Sequence, residues 1–301
     1  MKNIIIIGLG KMGNAHLNSF LNQRFKDNII IVEKNSYKRK RAIKHLKKKK
    51  LNFEVLSKIP KNKIFELAVV STPPNDRLQI IKGIFNNNKV KNFLLEKFLF
   101  NRVKEYTEFS QINSKLKINT YVNVWSKKFL QLIRLKKDLG KVEIEIKLPQ
   151  KKVLTNLIHF YEMFKLLTNR NIKIDLSNFE LRKINKSYFD GNGVISLKNK
   201  ECSMHLKSIK MPNNIIVVVK KNNFVSKKVY VSKGKIIIYS NSIKKIKDFP
   251  LASRETYKFY RKILINKKTT SSFSNYNSIA DSSVSILKSL KEQKKKEIKI
   301  F

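Results

Sequence analysis

The chain opens with NIIII at 3–7, followed at once by GLGKMG at 8–13. A short unbroken apolar run reads as a strand buried on both faces, as in the middle of a parallel sheet. The G-x-G-x-x-G spacing then restricts what can follow. Gly8 allows a tight turn, Gly10 leaves no side chain where phosphates would approach, and Gly13 lets a helix pack close on the strand. Residues 14–25 have helical spacing, so the helix N-terminus, including Lys11 and Met12, would turn unpaired N–H groups and a partial positive charge toward an anion. A second buried strand, NIIIV at 28–32, ends at Glu33, 25 residues after Gly8. A carboxylate there would accept hydrogen bonds from the adenine-side ribose and repel a 2′-phosphate. The cofactor reading is therefore NAD. NADP is the alternative, because Lys34, Lys38 and Arg39 crowd the same turn. The competing structural reading is a tight strand–helix turn with no ligand.

The alternation continues with a strand at 67–70 that runs into STPPNDR (71–77), a helix at 78–87 and a strand at 92–95. EKFLF (96–100), a helix at 102–115 and a strand at 118–124 follow. This βαβα pattern predicts an α/β fold with an N-terminal Rossmann, doubly wound parallel sheet. The second half reads differently. After a helix near 126–139, a strand near 141–148 and a helix at 153–168, strand-like runs recur between turns at Asp190–Gly193, Asn199, Asn222-Asn223 and Lys233-Gly234. They predict a meander within an α+β domain that carries a large, mostly antiparallel open sheet. Helices near 253–265 and 277–295 close the chain, and the Lys-rich run 291–299 reads as a solvated end. With 301 residues, and about 150 per domain as a guide, the division falls at 1–121 and 122–301.

Lys and Arg number 66 against 21 Asp and Glu, a net charge of +45. Such a charge suggests a nucleic-acid partner. The lysines, however, run from Lys2 to Lys299 through every kind of segment, alongside an excess of Ile and Asn. All three residue types have AT-rich codons, so compositional drift accounts for the charge without a specific nucleic-acid partner. The single cysteine, Cys202, precludes an intrachain disulfide, and the four histidines show no metal-ligand spacing, so no metal is expected. No apolar run nears the roughly 18 residues of a membrane span, and Gly8, Gly10 and Lys11 break the opening run too early for a secretory signal. The reading is a cytoplasmic protein with no membrane partner.

Taken in order, GLGKMG, STPPNDR, LLEKFLF and the His-bearing stretch TNLIHFYE (155–162) resemble the Gfo/Idh/MocA family of oxidoreductases. The resemblance implies a Rossmann domain followed by an open-sheet domain. It also implies NAD(P)-dependent oxidation or reduction of hydroxyl groups on sugars, inositols or nucleotide sugars, and pairing of subunits through the open sheet into a homo-oligomer. Ser71, Thr72 and Pro73 match the family's T-P-x loop beside the cofactor; Arg77 stands where the family often has His. Glu96-Lys97 matches the E-K-P motif, with Phe98 in place of Pro. The family's motif lysine reaches both the substrate hydroxyl and the nicotinamide ribose. Asn123, expected at the substrate, lies in a segment (121–128) resembling the crossover, where Lys127 or Lys128 takes the place of the usual Arg. Many members carry Asp four residues before the histidine; here Thr155 stands there. The T-N-x-x-H form, with Glu162 three residues on, resembles relatives from surface-polysaccharide gene clusters. Ser253–Thr256 resembles a short motif read as structural.

Oxidising an alcohol sends a hydride to nicotinamide and a proton to a base. His159 is the expected proton-transfer group, since imidazole titrates near neutrality. Lys97 is the expected electrostatic and orienting group; the two roles can be exchanged. Residues 155, 156, 159 and 162 share a helical face. Thr155, Asn156 and Glu162 are therefore expected at the substrate, with orientation of His159 as the other role open to Glu162. His16, His45 and His205 read as structural or surface. The departures at Phe98 and Thr155 keep a second class of function open, a dinucleotide-binding sensor or partner protein without turnover. Nucleic-acid binding is the third.

Overall fold

The computed structural model describes residues 1–21, 23, 25–49, 51–135, 142–150, 152–168, 171–183, 189–210, 214–232, 234–240, 243–249, 252–265 and 273–294. The predicted helix end at 136–139, the strand end at 184–186 and most of the Lys-rich tail lie outside these residues. The chain forms two compact units. The first comprises Met1–Phe100, Lys104–Asn123 and Leu251–Ser278; the second comprises Asn101–Val103, Val124–Pro250 and Ile279–Phe301. Among the described residues, no helix is long and apolar enough to cross a membrane.

In the first unit β1 (Asn3–Ile7), α1 (Lys11–Leu21), β2 (Asn28–Val32), α2 (Ser36–Lys47) and β3 (Phe53–Leu56) are followed by β4 (Ile64–Phe65), β5 (Leu67–Val70) and α3 (Arg77–Asn87). Then come β6 (Lys89–Val90), β7 (Asn92–Leu95), α4 (Val103–Leu116) and β8 (Asn119–Val122). The return segment adds a 3-10 turn at Ala252–Glu255, α7 (Thr256–Leu264) and a short strand, numbered β18 in chain order (Ser274–Asn275). The sheet order is β18-β8-β7-β5-β1-β2-β3, and only the edge pair β18–β8 is antiparallel. The apolar runs read as central strands are indeed buried: Ile4, Ile5, Ile29, Ile30, Val69 and Leu94 have no exposed surface. The strand order reverses at β1, with β2 on one side and β5 on the other, and it is at such a switch point, outside the carboxyl ends of the strands, that doubly wound folds bind ligands. The return segment joins this core, with Ala252, Phe259, Tyr260 and Phe273 packed among Phe20, Phe25 and Ile29. Tyr260 stacks edge-on to Phe25 and donates a hydrogen bond to Asp27.

The second unit holds α5 (Ser126–Ile133), β9 (Val142–Pro149), α6 (Val153–Thr168), β10 (Lys173–Asp175), β11 (Phe179–Lys183) and β12 (Phe189–Lys198). It continues with β13 (Ser203–Ile209), β14 (Ile215–Lys221), β15 (Phe224–Ser232), β16 (Lys235–Ser240), β17 (Ile243–Asp248) and most of α8 (Tyr276–Lys294). The sheet is mostly antiparallel, as expected, but it is not one continuous meander. Its order is β10-β12-β13-β9-β14-β15-β16-β17, with β11 also paired to β12. β9 inserts between β13 and β14, parallel to the first and antiparallel to the second. Its pattern explains why it tolerates a central position: Val142, Ile144, Ile146 and Leu148 are buried on one face, while Glu143, Glu145 and Lys147 alternate on the other. Lys207 and Lys147 pair with Glu145. On the apolar side, α6 buries Leu157, Ile158, Phe160, Met163 and Phe164.

Candidate active site

The glycine turn is held by backbone and side-chain bonds that its sequence dictates. Gly8 has φ +87°, where a Cβ would be strained, and its N–H donates to Val32 O at 2.9 Å. A Cβ on Gly13 would fall 1.8 Å from Gly8 O and 2.7 Å from Ser71 Oγ, so only glycine lets α1 start against this turn. A Cβ on Gly10 would meet no protein atom within 4 Å; this glycine faces open space. α1 begins at Lys11 and Met12, and Asn14 Nδ2 steadies the turn by donating to Leu9 O at 2.7 Å and Gly10 O at 3.0 Å. Glu33 is buried, with Oε2 accepting from Leu9 N–H (2.7 Å) and Oε1 from Asn35 N–H (2.9 Å). Each carboxylate oxygen has a second lone pair, so Glu33 fixes the turn and retains acceptor capacity for a ribose.

The loop after β5 closes over this turn. Ser71 Oγ lies 2.9 Å from Ile7 O and 2.8 Å from Gly8 O. Thr72 Oγ1 is a buried hydroxyl with no hydrogen-bond partner among the described residues, and Pro73 is exposed. A turn open at Gly10 and an unpaired hydroxyl beside it suit a dinucleotide, whose pyrophosphate and ribose would fill the first and satisfy the second.

After β7, Glu96 is buried. Its Oε1 accepts from Asn123 Nδ2 and lies the same distance, 2.7 Å, from His16 Nε2. Burial alone would raise its pKa, but His16, Asn123 and Arg77 outweigh that and hold it below the usual carboxylate range. Lys97 is half-exposed and Phe98 buried; their peptide bond is cis. Arg77 is fully buried, and its guanidinium donates to the carbonyls of Thr72, Glu96, Phe98 and Leu99. Burial lowers its pKa to about 10, so it stays a cation at neutral pH. One side chain thus ties the loop after β5 to the loop after β7. The sequence showed only a departure from a family histidine and gave no sign of this role.

In the second unit, α6 carries Thr155, Asn156, His159 and Glu162. His159 is buried and stacks on Trp125, with ring centroids 4.3 Å apart and planes at 27°. Ser126 Oγ donates to the His159 carbonyl. Glu162 is also buried and accepts from Ser282 Oγ on α8. Asn156 Nδ2 donates to Lys152 O at 2.8 Å, and Thr155 is half-exposed. The start of α6 is capped from outside the helix. Asp190 on β12 is buried and accepts from the N–H groups of Leu154 (3.0 Å), Thr155 (3.3 Å) and Gly191 (2.8 Å). Trp125 and Asp190 were not singled out from the sequence; the Trp–His stacking partner has no local signature.

Residues 2–123 match the family model described as "Oxidoreductase family, NAD-binding Rossmann fold". This segment is a Gfo/Idh/MocA-family NAD-binding domain. Beyond it, the whole chain shares its fold with solved members and relatives of that family. A dehydrogenase from Clostridium difficile is 16% identical with a TM-score of 0.68, over 97% of this chain and 99% of that one. A UDP-N-acetylglucosamine 3-dehydrogenase from Acidithiobacillus ferrooxidans is 11% identical with a TM-score of 0.64, over 95% of each. A biliverdin reductase from Synechocystis, solved with biliverdin and NADP+, is 10% identical with a TM-score of 0.64, over 97% of this chain and 98% of that one. No curated protein matches the sequence. Among the described residues, no group of three or more metal-ligating side chains forms a site.

Proposed function

We propose that the protein is an NAD(P)-dependent oxidoreductase that transfers a hydride to or from a hydroxyl carbon of a sugar-like substrate, a nucleotide sugar being the preferred candidate. The observation that carries the reading is the glycine turn. It is open only at Gly10, packed shut at Gly13 and flanked by Glu33 and the unpaired Thr72 hydroxyl. Gly8, Gly10 to Gly13, Glu33, Ser71, Thr72, Pro73, Glu96 and Lys97 would hold the cofactor, which when bound supplies the hydride acceptor or donor. Lys97 orients the substrate oxygen and stabilises negative charge developing on it. His159 moves the proton, its ring orientation set by the Trp125 face. Thr155, Asn156 and Glu162 serve the substrate side of α6. The structural likeness to a nucleotide-sugar dehydrogenase supports the substrate class.

A screen of nucleotide sugars with NAD+ and NADP+, read by absorbance of the reduced cofactor, tests this. Turnover should fall at least about 100-fold in Lys97→Ala and His159→Ala. Folded protein that binds no NAD(P)(H) at millimolar concentration rejects the reading. The burial of His159, at 2% exposure, favours a second one, a dinucleotide-binding protein without turnover. That reading predicts cofactor binding unchanged by either variant and no turnover on any substrate of the screen.

A further inference from the structure

His16 lies three residues past Gly13 on α1 and has no exposed surface. Its hydrogen-bond directions can be worked out. Ser253 O can only accept, and Thr256 Oγ1 lies 2.8 Å from it, so the Thr256 hydrogen points there. Oγ1 therefore turns a lone pair toward His16 Nδ1, 2.6 Å away, and Nδ1 carries a hydrogen. On the other side, His16 Nε2 and Asn123 Nδ2 converge on one oxygen of Glu96, the arrangement of two donors on an ionised carboxylate. His16 thus bridges the Thr256 hydroxyl and the buried Glu96 carboxylate, one ring nitrogen to each.

The four participants come from four segments: the glycine-turn helix, the ends of β7 and β8, and the start of α7. A buried carboxylate held by a histidine is a poor device for stability alone, since apolar residues of like volume serve as well without desolvating polar groups. Its position is more telling. One end is on the helix whose N-terminus faces the phosphates, and the other is the residue immediately before Lys97.

We propose that His16 is a positioning residue for Lys97: through Glu96 it ties the glycine-turn helix to the strand end that presents the lysine, so a dinucleotide seated on the turn fixes where the Lys97 amine stands. This rests on the reading of Lys97 as a cofactor-side group. The test is limited acetylation of the full chain by an amine-reactive ester, with and without saturating NAD+, quantified peptide by peptide. Lys11, on the glycine turn itself, is the internal control. In the parent protein NAD+ should slow acetylation of both lysines by about tenfold. In His16→Asn, at NAD+ concentrations shown to saturate it, Lys11 should stay protected while protection of Lys97 falls below about twofold, as for loss of one coupled contact. Equal protection of Lys97 in parent and variant overturns the proposal. So does joint loss at both lysines, which marks a general structural role. If Lys97 is unprotected in the parent while Lys11 is protected, the placement of Lys97 itself is wrong. Should His16→Asn not fold, Thr256→Val, which removes the hydroxyl bonded to His16 and Ser253 O and leaves the His16–Glu96 contact, is read the same way.

Discussion

Gly10 and Gly13 belong to one motif, yet the structure separates what each does, and the same substitution in each should give opposite results. In Gly13→Ala the new Cβ starts 1.8 Å from a backbone oxygen, Gly8 O, and must move more than 1 Å to reach any tolerable contact. Neither partner is a flexible side-chain end: one is the strand–turn backbone and the other the first turn of α1. The cost falls at or above the upper range for overpacking, about 3 kcal/mol or more. In Gly10→Ala the Cβ meets nothing within 4 Å, and Gly10 is not among the residues with positive φ. Folding should be unharmed, or gain about 0.4–1 kcal/mol from a less flexible unfolded chain. The methyl group would occupy the space through which the backbone approaches the pyrophosphate. Pushing the ligand off one charge-assisted hydrogen bond of about 1.5–3 kcal/mol raises Kd for NADH about 10- to 100-fold. Urea unfolding and a fluorescence titration with NADH, run on both variants, give the four numbers needed. A Gly10→Ala protein that binds NADH like the parent would refute the assignment of the open face. A Gly13→Ala protein of parental stability would refute the packing argument.

Three further outcomes follow from buried charges. Arg77→Met strips the cationic donor from four carbonyls; at about 1 kcal/mol each, with some replaced by water, the loss is about 3–5 kcal/mol in urea unfolding. A loss under about 1 kcal/mol shows that the loops after β5 and β7 hold without it. Glu96 has a folded pKa below its ordinary value of 4.5, so it contributes stability above that value and loses it as pH falls through the lower, folded value. The stability gap between the parent and Glu96→Gln should therefore narrow as pH drops below 4.5, and a gap that stays constant into that range contradicts the reading of Glu96 as a buried, ionised acceptor. Asp190→Ala leaves the first turn of α6 uncapped and should cost about 1–2 kcal/mol, with Asp190→Asn costing less because one acceptor oxygen remains; equal cost for the two, measured by thermal unfolding, argues against capping.

What was legible in the sequence was local. Four central strands of the first sheet are short apolar runs (IIII, IIIV, LAVV and FLL), and each glycine of the turn has a single steric job, so runs and spacing sufficed. What was not legible required knowing which segments meet. β9 alternates as any half-buried strand does; nothing in VEIEIKLP says that it will split the meander and pair parallel with β13. The return of 251–278 to the first unit rests on Tyr257 and Tyr260 finding Phe20 and Phe25, contacts more than 230 residues apart in sequence that no periodicity encodes. Arg77 and His16 were equally opaque. One stood out only as a departure from a family residue, and the other only as a histidine on a helix.

Burial also separates the charges that carry information from those that do not. Among the described residues, no lysine is buried, whereas Glu33, Glu96, Glu162 and Asp190 are, together with Arg77, His16 and His159. A composition that drifts toward lysine can change only positions where an ammonium keeps its water, because a buried one without a partner costs too much. Some drifted positions then acquire local work. On the second unit's sheet, Lys227 donates to the carbonyls of Ile133 and Arg134, and Lys247 to that of Leu132, covering the C-terminal end of α5 where a cation is favoured. Among the described residues the lysines are thus left at least partly in solvent, while the enclosed Glu33, Glu96 and Arg77 hold loops and Asp190 holds a helix end in place. If that division is right, replacing a set of exposed lysines on α2 and β17 by glutamine should weaken polyanion binding in proportion to the charge removed. It should leave the saturating protection of Lys97 by NAD+ unchanged, whereas a specific nucleic-acid surface would lose its affinity at a few positions and keep it at the rest.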